Sequence, residues 1–142
     1  MERDQATKFM FDLLGLMVSK NGSDLFISTD FPPAIKIDGK VTPISGQVLT
    51  AAHTVELARA IMSDKQAAVF EQTKECNFAI NPGSLGRFRV SAYMQMGRVG
   101  MVLRTINTEI PSLGKLKLPE VLQDVAMEKR GLVLMVGATG SG

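Results

Sequence analysis

The first 20 residues repeat their apolar side chains with the period of an α-helix. The predicted helix covers about residues 4–20. Asn21-Gly22 predicts its end, because Gly and Asn readily adopt the left-handed conformation that closes helices. Four side chains fall at positions i, i+4, i+7 and i+8 and so predict one apolar helix face: Phe9, Leu13, Leu16 and Met17.

Two more helices are predicted in the middle of the chain, each behind a hydroxyl residue suited to capping a helix N-terminus. Thr50 precedes the first of them, and Ser63 precedes the second, which extends to about Lys74. Apolar residues at helical spacing predict the buried side of each helix: Ala51, Val55, Ala58 and Met62 in the first, Val69 and Phe70 in the second.

Shorter segments with period-two alternation predict β-strands joined in antiparallel fashion. Asp38-Gly39 is a strong hairpin signal, because both residues tolerate the positive φ that a two-residue turn requires. Helices and antiparallel strands in this order predict a mixed α+β fold. The predicted strands are Asp24–Thr29, Ile35–Ile37, Lys40–Ile44, Glu75–Ile80, Gly86–Met96 and Arg98–Ile106.

The chain loses this periodicity after the last of these strands, where Pro111 and Gly114 predict a linker. Pro119 suits the first turn of a helix, and a short helix is predicted after it. Leu132–Val136 is then a continuous apolar run, which is typical of a buried parallel strand. The sequence therefore predicts an α+β domain over residues 1–106, a linker over 107–118 and the start of a different domain over 119–142.

Composition narrows the classes of function. The 142 residues carry a formal charge of only +2, a balance that does not point to nucleic acid or to an anionic membrane surface. The single cysteine, Cys76, excludes an internal disulfide, and the single histidine, His53, excludes a credible zinc ligand set. No apolar run approaches the ~18 residues of a membrane span, and the charged N-terminus lacks the apolar core of a signal peptide. We therefore expect no nucleic-acid partner and a reducing compartment.

A glycine-rich segment follows the apolar run directly. In the phosphate-loop pattern G-x-x-x-x-G-K-[ST], glycines let backbone N–H groups turn toward phosphate oxygens. A flexible Gly-Ser tail is the alternative, but the apolar segment before it favours phosphate binding. The lysine and the magnesium-binding Ser/Thr of the pattern would come after the chain, so we expect the front part of a larger P-loop ATPase, inactive alone. The segment is Gly137, Ala138, Thr139, Gly140, Ser141 and Gly142.

Arginines alternate with apolar residues along the two longest predicted strands. Even-numbered residues of the first and odd-numbered residues of the second are mostly apolar, so we expect them to share the buried face. With a turn near Gly97, Arg89 and Arg104 are then expected to lie nearly opposite each other. The same parity places four arginines on the other face: Arg87, Arg89, Arg98 and Arg104.

Two interpretations of this arginine face remain, because like charges directly opposite each other in a sheet are unfavourable. The arginines are either solvated side chains paired with Asp or Glu, or an anion site in which guanidinium groups clasp phosphate oxygens. Spacing alone does not decide between the two.

Several segments together resemble the PilT/PilU family of type II and type IV secretion ATPases. They are G-S-D-L-F-I-S, P-P-x-I-K-I-D-G, R-F-R-V, M-V-L-R-T-I, K-R-G-L-V and G-A-T-G-S-G, and they run over nearly the whole chain. The segments E-C-N-F-A-I, G-M-V-L-R and L-K-L-P-E-V-L are more similar to the PilU branch than to the PilT branch. Phe26 also stands where PilT-like sequences tend to carry histidine.

The resemblance implies a PAS-like N-terminal domain with an antiparallel sheet and flanking helices. The first helix and strand of a RecA-like α/β P-loop domain would follow, starting near Pro119. It also implies a complete protein that is a homo-hexameric ATPase, using ATP and Mg²⁺, at the inner-membrane base of a type IV pilus. From the cytoplasm it would drive pilus retraction and twitching motility, with a PilT-like paralogue and a pilus platform protein as partners.

The resemblance also implies roles for individual arginines, because in this family arginines of the N-terminal domain reach toward the γ-phosphate of the nucleotide. Arg89, in R-F-R-V, and Arg104, in V-L-R-T-I, fall at those motif positions, whereas Arg98 matches only in part. Our first hypothesis is a motor subunit whose arginines act on nucleotide charge as arginine fingers do. The alternatives are a PAS-like regulatory module that binds a ligand or partner, and an ATPase of pilus assembly or type II secretion.

Overall fold

Most elements of the chain follow the periodicity of its sequence. The computed structural model describes residues 2–139 and 141. It divides into two compact units, Met1–Asn107 and Thr108–Gly142. The helices of the first unit are α1 (Arg3–Ser19), α2 (Ala51–Ile61) and α3 (Asp64–Thr73); its strands are β1 (Asp24–Ile27), β2 (Ala34–Ile37), β3 (Lys40–Pro43), β4 (Glu75–Ile80), β5 (Arg87–Gln95) and β6 (Arg98–Ile106).

The six strands form one sheet in the order β3-β2-β1-β6-β5-β4, and every neighbouring pair is antiparallel. The predicted α+β class, an antiparallel sheet with flanking helices, is confirmed. Side chains of α1 and α2 pack with one face of the sheet into a single apolar core. Most of the alternate sheet residues on the other face are half-buried or exposed, but Asp24 and Gly100 on that face are buried. The largest fully buried side chains include Met10, Leu14, Met17, Leu25, Ile27, Ile35, Leu57, Phe88, Met101 and Leu103.

Two connections between neighbouring strands are two-residue turns: the one predicted at Asp38-Gly39, and the one expected near Gly97. Asp38 and Gly39 both have positive φ, at 47° and 79°, and Met96 and Gly97 have φ of 51° and 74°. Two consecutive positive values form the type I′ turn, whose twist matches that of the strands it joins. These turns fix the register of β2 with β3 and of β5 with β6.

Both predicted helix N-caps are confirmed. The Thr50 hydroxyl accepts the backbone N–H of His53 at 3.2 Å, and His53 Nδ1 accepts the backbone N–H of Thr50 at 3.3 Å. Ser63 and Gln66 form the same reciprocal arrangement at the start of α3. His53 therefore satisfies a helix end, a role that the sequence pattern did not indicate.

The predicted buried faces of α1, α2 and α3 are partly wrong. Leu16, Val55 and Val69 are 42%, 37% and 42% exposed. The face of α1 that meets the sheet is instead centred on Met10 and Leu14. The predicted and the observed apolar faces of α1 have the same helical spacing. Which of them is buried therefore depends on the position of the sheet, which the sequence pattern does not give.

The second unit contains the helix predicted after Pro119, α4 (Val121–Ala126). The strand predicted at Leu132–Val136 is not formed, and these five side chains are 58–93% exposed. A buried parallel strand needs hydrogen-bonded neighbours, and no described residue pairs with this segment. Over the described part of the chain, no helix is long and apolar enough to cross a membrane.

Candidate functional site

Arg89 and Arg104 lie directly opposite each other in the β5–β6 ladder. This confirms the predicted register, because Phe88, Val90 and Leu103 take the buried face in the alternate positions. Both arginines extend from the face of the sheet opposite the core. Their alignment is set by the hydrophobic pattern and the two-residue turn.

Arg104 is held on its other side by a buried carboxylate. Arg104 Nε donates to Asp24 Oδ1 at 2.8 Å, and the Ser23 hydroxyl donates to Asp24 Oδ2 at 2.8 Å. The side chain of Asp24 is only 6% exposed, whereas that of Arg104 is 71% exposed. The stem of Arg104 is therefore anchored at the sheet while its tip faces solvent.

The protonation of Asp24 follows from these contacts. Burial alone would raise the pKa of Asp24, but hydrogen bonds from Arg104 and Ser23, with the charges of Arg104 and Lys36, hold it below its ordinary value. The hydrogen bond and the charge of Asp24 raise the pKa of Arg104 in turn. At neutral pH the pair is an ionised carboxylate beside a guanidinium cation.

Arg89 has no such partner. Among the described residues it makes no hydrogen bond or ion pair. Its guanidinium borders a shallow cavity of about 200 Å³ that also has a side-chain amide, a hydroxyl and the second arginine at its edge. Guanidinium groups beside neutral donors form a set that recognises phosphate or carboxylate oxygens. The cavity is lined by Asn77, Arg89, Ser91, Val102 and Arg104.

Arg98 is on the same face but is not brought to this pair. It lies opposite Gln95 at the turn end of the hairpin, six residues from Arg104 along β6, or about 20 Å at the rise of a strand. There it forms an exposed ion pair with Asp30. The role of Arg98 toward nucleotide remains a prediction.

The predicted phosphate loop is described in part. Gly137, Ala138, Thr139 and Ser141 are exposed, while Gly140 and Gly142 fall outside the described residues. Ser141 N–H donates to the Ala138 carbonyl at 3.1 Å, and a Cβ on Gly137 would lie 2.5 Å from Ser141 Oγ. The described residues of the segment offer backbone N–H groups and hydroxyls, a donor set that fits phosphate.

A divalent cation is not matched by a ready ligand set. Among residues 2–139 and 141, no three or more His, Cys, Asp and Glu side chains cluster closely enough to hold a metal ion. The described residues of the phosphate loop offer only hydroxyl and carbonyl oxygens and no carboxylate.

Asp24 and Ser23 also belong to this site, although the sequence pattern did not predict them. Asp24 pairs with Arg104 across the β1–β6 ladder, and the two residues are 80 positions apart in the chain. The available signal was a charged residue beginning an otherwise apolar strand. The identity of its partner depends on a long-range register that periodicity does not contain.

Comparisons with known proteins agree with the family resemblance of the sequence segments. The chain is 52% identical over 130 residues to the type IV pilus ATPase PilU of Pseudomonas aeruginosa, and 37% identical over 131 residues to the PilT retraction ATPase of the same organism. These matches cover 92% of this chain but only 34% and 38% of the relatives. No family model matches.

The fold has a solved counterpart. A crystal structure of the pilus retraction motor PilT with bound ADP superposes with a TM-score of 0.81 at 30% identity, over 92% of this chain and 38% of that one. The resemblance to the PilT/PilU family is therefore confirmed, and the chain spans about a third of the length of the proteins it matches.

Proposed function

We propose, from the confirmed resemblance to the PilT/PilU family, that this chain is the N-terminal region of an ATPase subunit that drives type IV pilus retraction. The functions named for both Pseudomonas relatives, a type IV pilus ATPase and a retraction ATPase, support it. The residues after about Pro119 would begin the ATPase domain, and residues 1–106 would form a PAS-like domain before it.

The observation that carries the site assignment is the pair of opposed arginines, one anchored and one unpartnered. Repulsion across a ladder position is unfavourable, and a phosphate between the two guanidinium groups would convert it into attraction. Arg89 and Arg104 would therefore bind phosphate oxygens of the nucleotide. Bidentate geometry suits both side chains to that role.

The complete subunit would use ATP with Mg²⁺ and would transfer the γ-phosphoryl group of ATP to water. In this chain the backbone N–H groups of Gly137–Gly142 would hold its phosphates. The subunit would assemble into a homo-hexamer in the cytoplasm at the inner-membrane base of the pilus, with a PilT-like paralogue and a platform protein as partners. Residues 1–142 alone are predicted to show no appreciable ATP hydrolysis, which a turnover assay on the purified chain measures.

The test of the site compares two arginines on the same strand of the complete subunit. Arg89→Ala should lower ATP turnover by about 100-fold, the usual effect of losing a donor to developing charge. Arg87→Ala is the matched control, because Arg87 is exposed on the same face but lies opposite Ile106. Its turnover should stay near that of the wild type.

Thermal unfolding of each variant separates chemistry from folding. Arg89 has no partner among the described residues, so its removal should leave the melting temperature nearly unchanged. Wild-type turnover in Arg89→Ala and in Arg104→Ala would refute the phosphate-binding role.

A further inference from the structure

We propose that Asp24 is a positioning residue that fixes the guanidinium of Arg104 so that its terminal nitrogens face the anion shared with Arg89. This inference rests on the proposed phosphate-binding role of the two arginines. Asp24 would form the buried end of the site and would not bind nucleotide itself.

A single row of charges across the sheet supports the assignment. The ladder registers place Lys36 opposite Asp24, Asp24 opposite Arg104, and Arg104 opposite Arg89. Signs alternate along this row until the last step, where two cations meet. An anion next to Arg89 and Arg104 would restore the alternation that stabilises cross-strand pairs.

The atoms that form the contact between Asp24 and Arg104 also support this role. Asp24 engages Nε of Arg104, and the second carboxylate oxygen is occupied by the Ser23 hydroxyl. The two terminal nitrogens of Arg104 therefore keep their N–H donors for another acceptor. An ion pair that served only to join β1 to β6 would gain more from the bidentate contact that arginine and carboxylate usually form.

The contact with Asp24 also restricts the motion of the Arg104 side chain. An unanchored arginine loses much rotamer freedom when it binds an anion, whereas Arg104 is already restrained at Nε by a side chain that is 6% exposed. At metal sites, partners that orient a ligand side chain typically change activity by about 10–100-fold when removed, and we expect an effect of the same order for Asp24.

The experiment measures kcat and KM for ATP, with the melting temperature, for Asp24→Ala, Arg104→Ala and the double variant of the complete subunit. Asp24→Ala should lower kcat by about tenfold and Arg104→Ala by about 100-fold. The double variant should match Arg104→Ala, because Asp24 acts only through that side chain. Asp24→Asn keeps an acceptor oxygen and should retain more activity than Asp24→Ala.

Glu75→Ala is the charge-matched control. Glu75 is exposed on the same face, opposite Tyr93, and its removal changes the net charge equally. It should leave kcat unchanged.

The outcomes separate the two proposals. Wild-type kcat in both Arg89→Ala and Arg104→Ala would overturn the proposed function. A low kcat in Arg104→Ala with wild-type kcat per folded subunit in the Asp24 variants would overturn the positioning role alone. A further loss in the double variant beyond Arg104→Ala would also overturn it. If Asp24→Ala does not fold, Asp24→Asn, alone and combined with Arg104→Ala, gives the same comparison.

Discussion

At the scale of single residues, Asp24 is the one charged side chain among the buried residues that the structure describes. It is 4% exposed and is surrounded by Ser23 on its own chain segment, Lys36 on β2 and Arg104 on β6. Its pKa is lowered from the ordinary value of 3.8 in spite of burial. Its ionised form therefore stabilises the folded state.

The sign of the pH dependence follows directly. A lowered pKa in the folded state gives a stabilisation that is present above the unfolded pKa of about 3.8 and is lost as the pH falls through the folded pKa. At pH 7, Asp24→Asn should lower the melting temperature by about 5 °C, as expected for losing a charge-assisted hydrogen bond in a unit of this size. Below pH 3.8 the difference between the two proteins should shrink.

Thermal unfolding followed between about pH 2.5 and pH 7 measures this convergence. Glu75→Gln serves as its control, because it removes the same charge from an exposed position on β4. A difference that stays constant down to the lowest pH would mean that ionisation of Asp24 does not stabilise the fold.

At the scale of elements, features that depend on neighbouring residues were predicted better than features that depend on distant contacts. Turns and helix caps lie within a few residues of the side chains that cause them. The examples are the I′ turns at Asp38-Gly39 and Met96-Gly97 and the caps at Thr50 and Ser63. The same locality gave the parity that sets Arg89 opposite Arg104.

Features that need a distant partner were missed or wrong. The face of α1 depends on where the sheet lies, so Leu16 was predicted buried but is exposed. The Asp24–Arg104 pair depends on the β1–β6 register. The strand predicted at Leu132–Val136 has no paired neighbour among the described residues, so its apolar pattern alone did not produce a strand.

The β5–β6 hairpin offers a test of its own packing. Gly100 lies opposite Tyr93, and a Cβ at Gly100 would sit 2.7 Å from Cζ of that ring. Gly100→Ala must therefore displace the ring, and we expect a loss of about 1–3 kcal/mol in the free energy of unfolding. Chemical denaturation measures this loss.

Two further variants make that result specific to the ring. Gly46→Ala should change stability by no more than about 0.5 kcal/mol, because no atom lies within 4 Å of its Cβ position. In a Tyr93→Ala background, Gly100→Ala should cost much less. An equal cost in both backgrounds would show that the ring is not the source of the strain.

At the scale of the whole molecule, the first unit presents one covered and one open face of the sheet. The covered face holds the apolar core, and the open face carries the row Lys36, Asp24, Arg104 and Arg89. Its resemblance to PilT and PilU gives this open face a candidate ligand, the phosphates of a nucleotide. The formal charge of +2 gave no such indication, because the proposed anion site depends on a few neighbouring residues.

We propose that Arg89 and Arg104 contact nucleotide phosphate. Calorimetric titration of the complete subunit, once with ADP and once with a non-hydrolysable ATP analogue, measures this contact. Arg89→Ala should weaken binding of the ATP analogue by about tenfold or more, the factor for one charge-assisted contact, and should affect ADP less. Arg87→Ala should bind both ligands as the wild type does. Unchanged affinity of Arg89→Ala for the ATP analogue, or an equal loss in Arg87→Ala, would contradict the account.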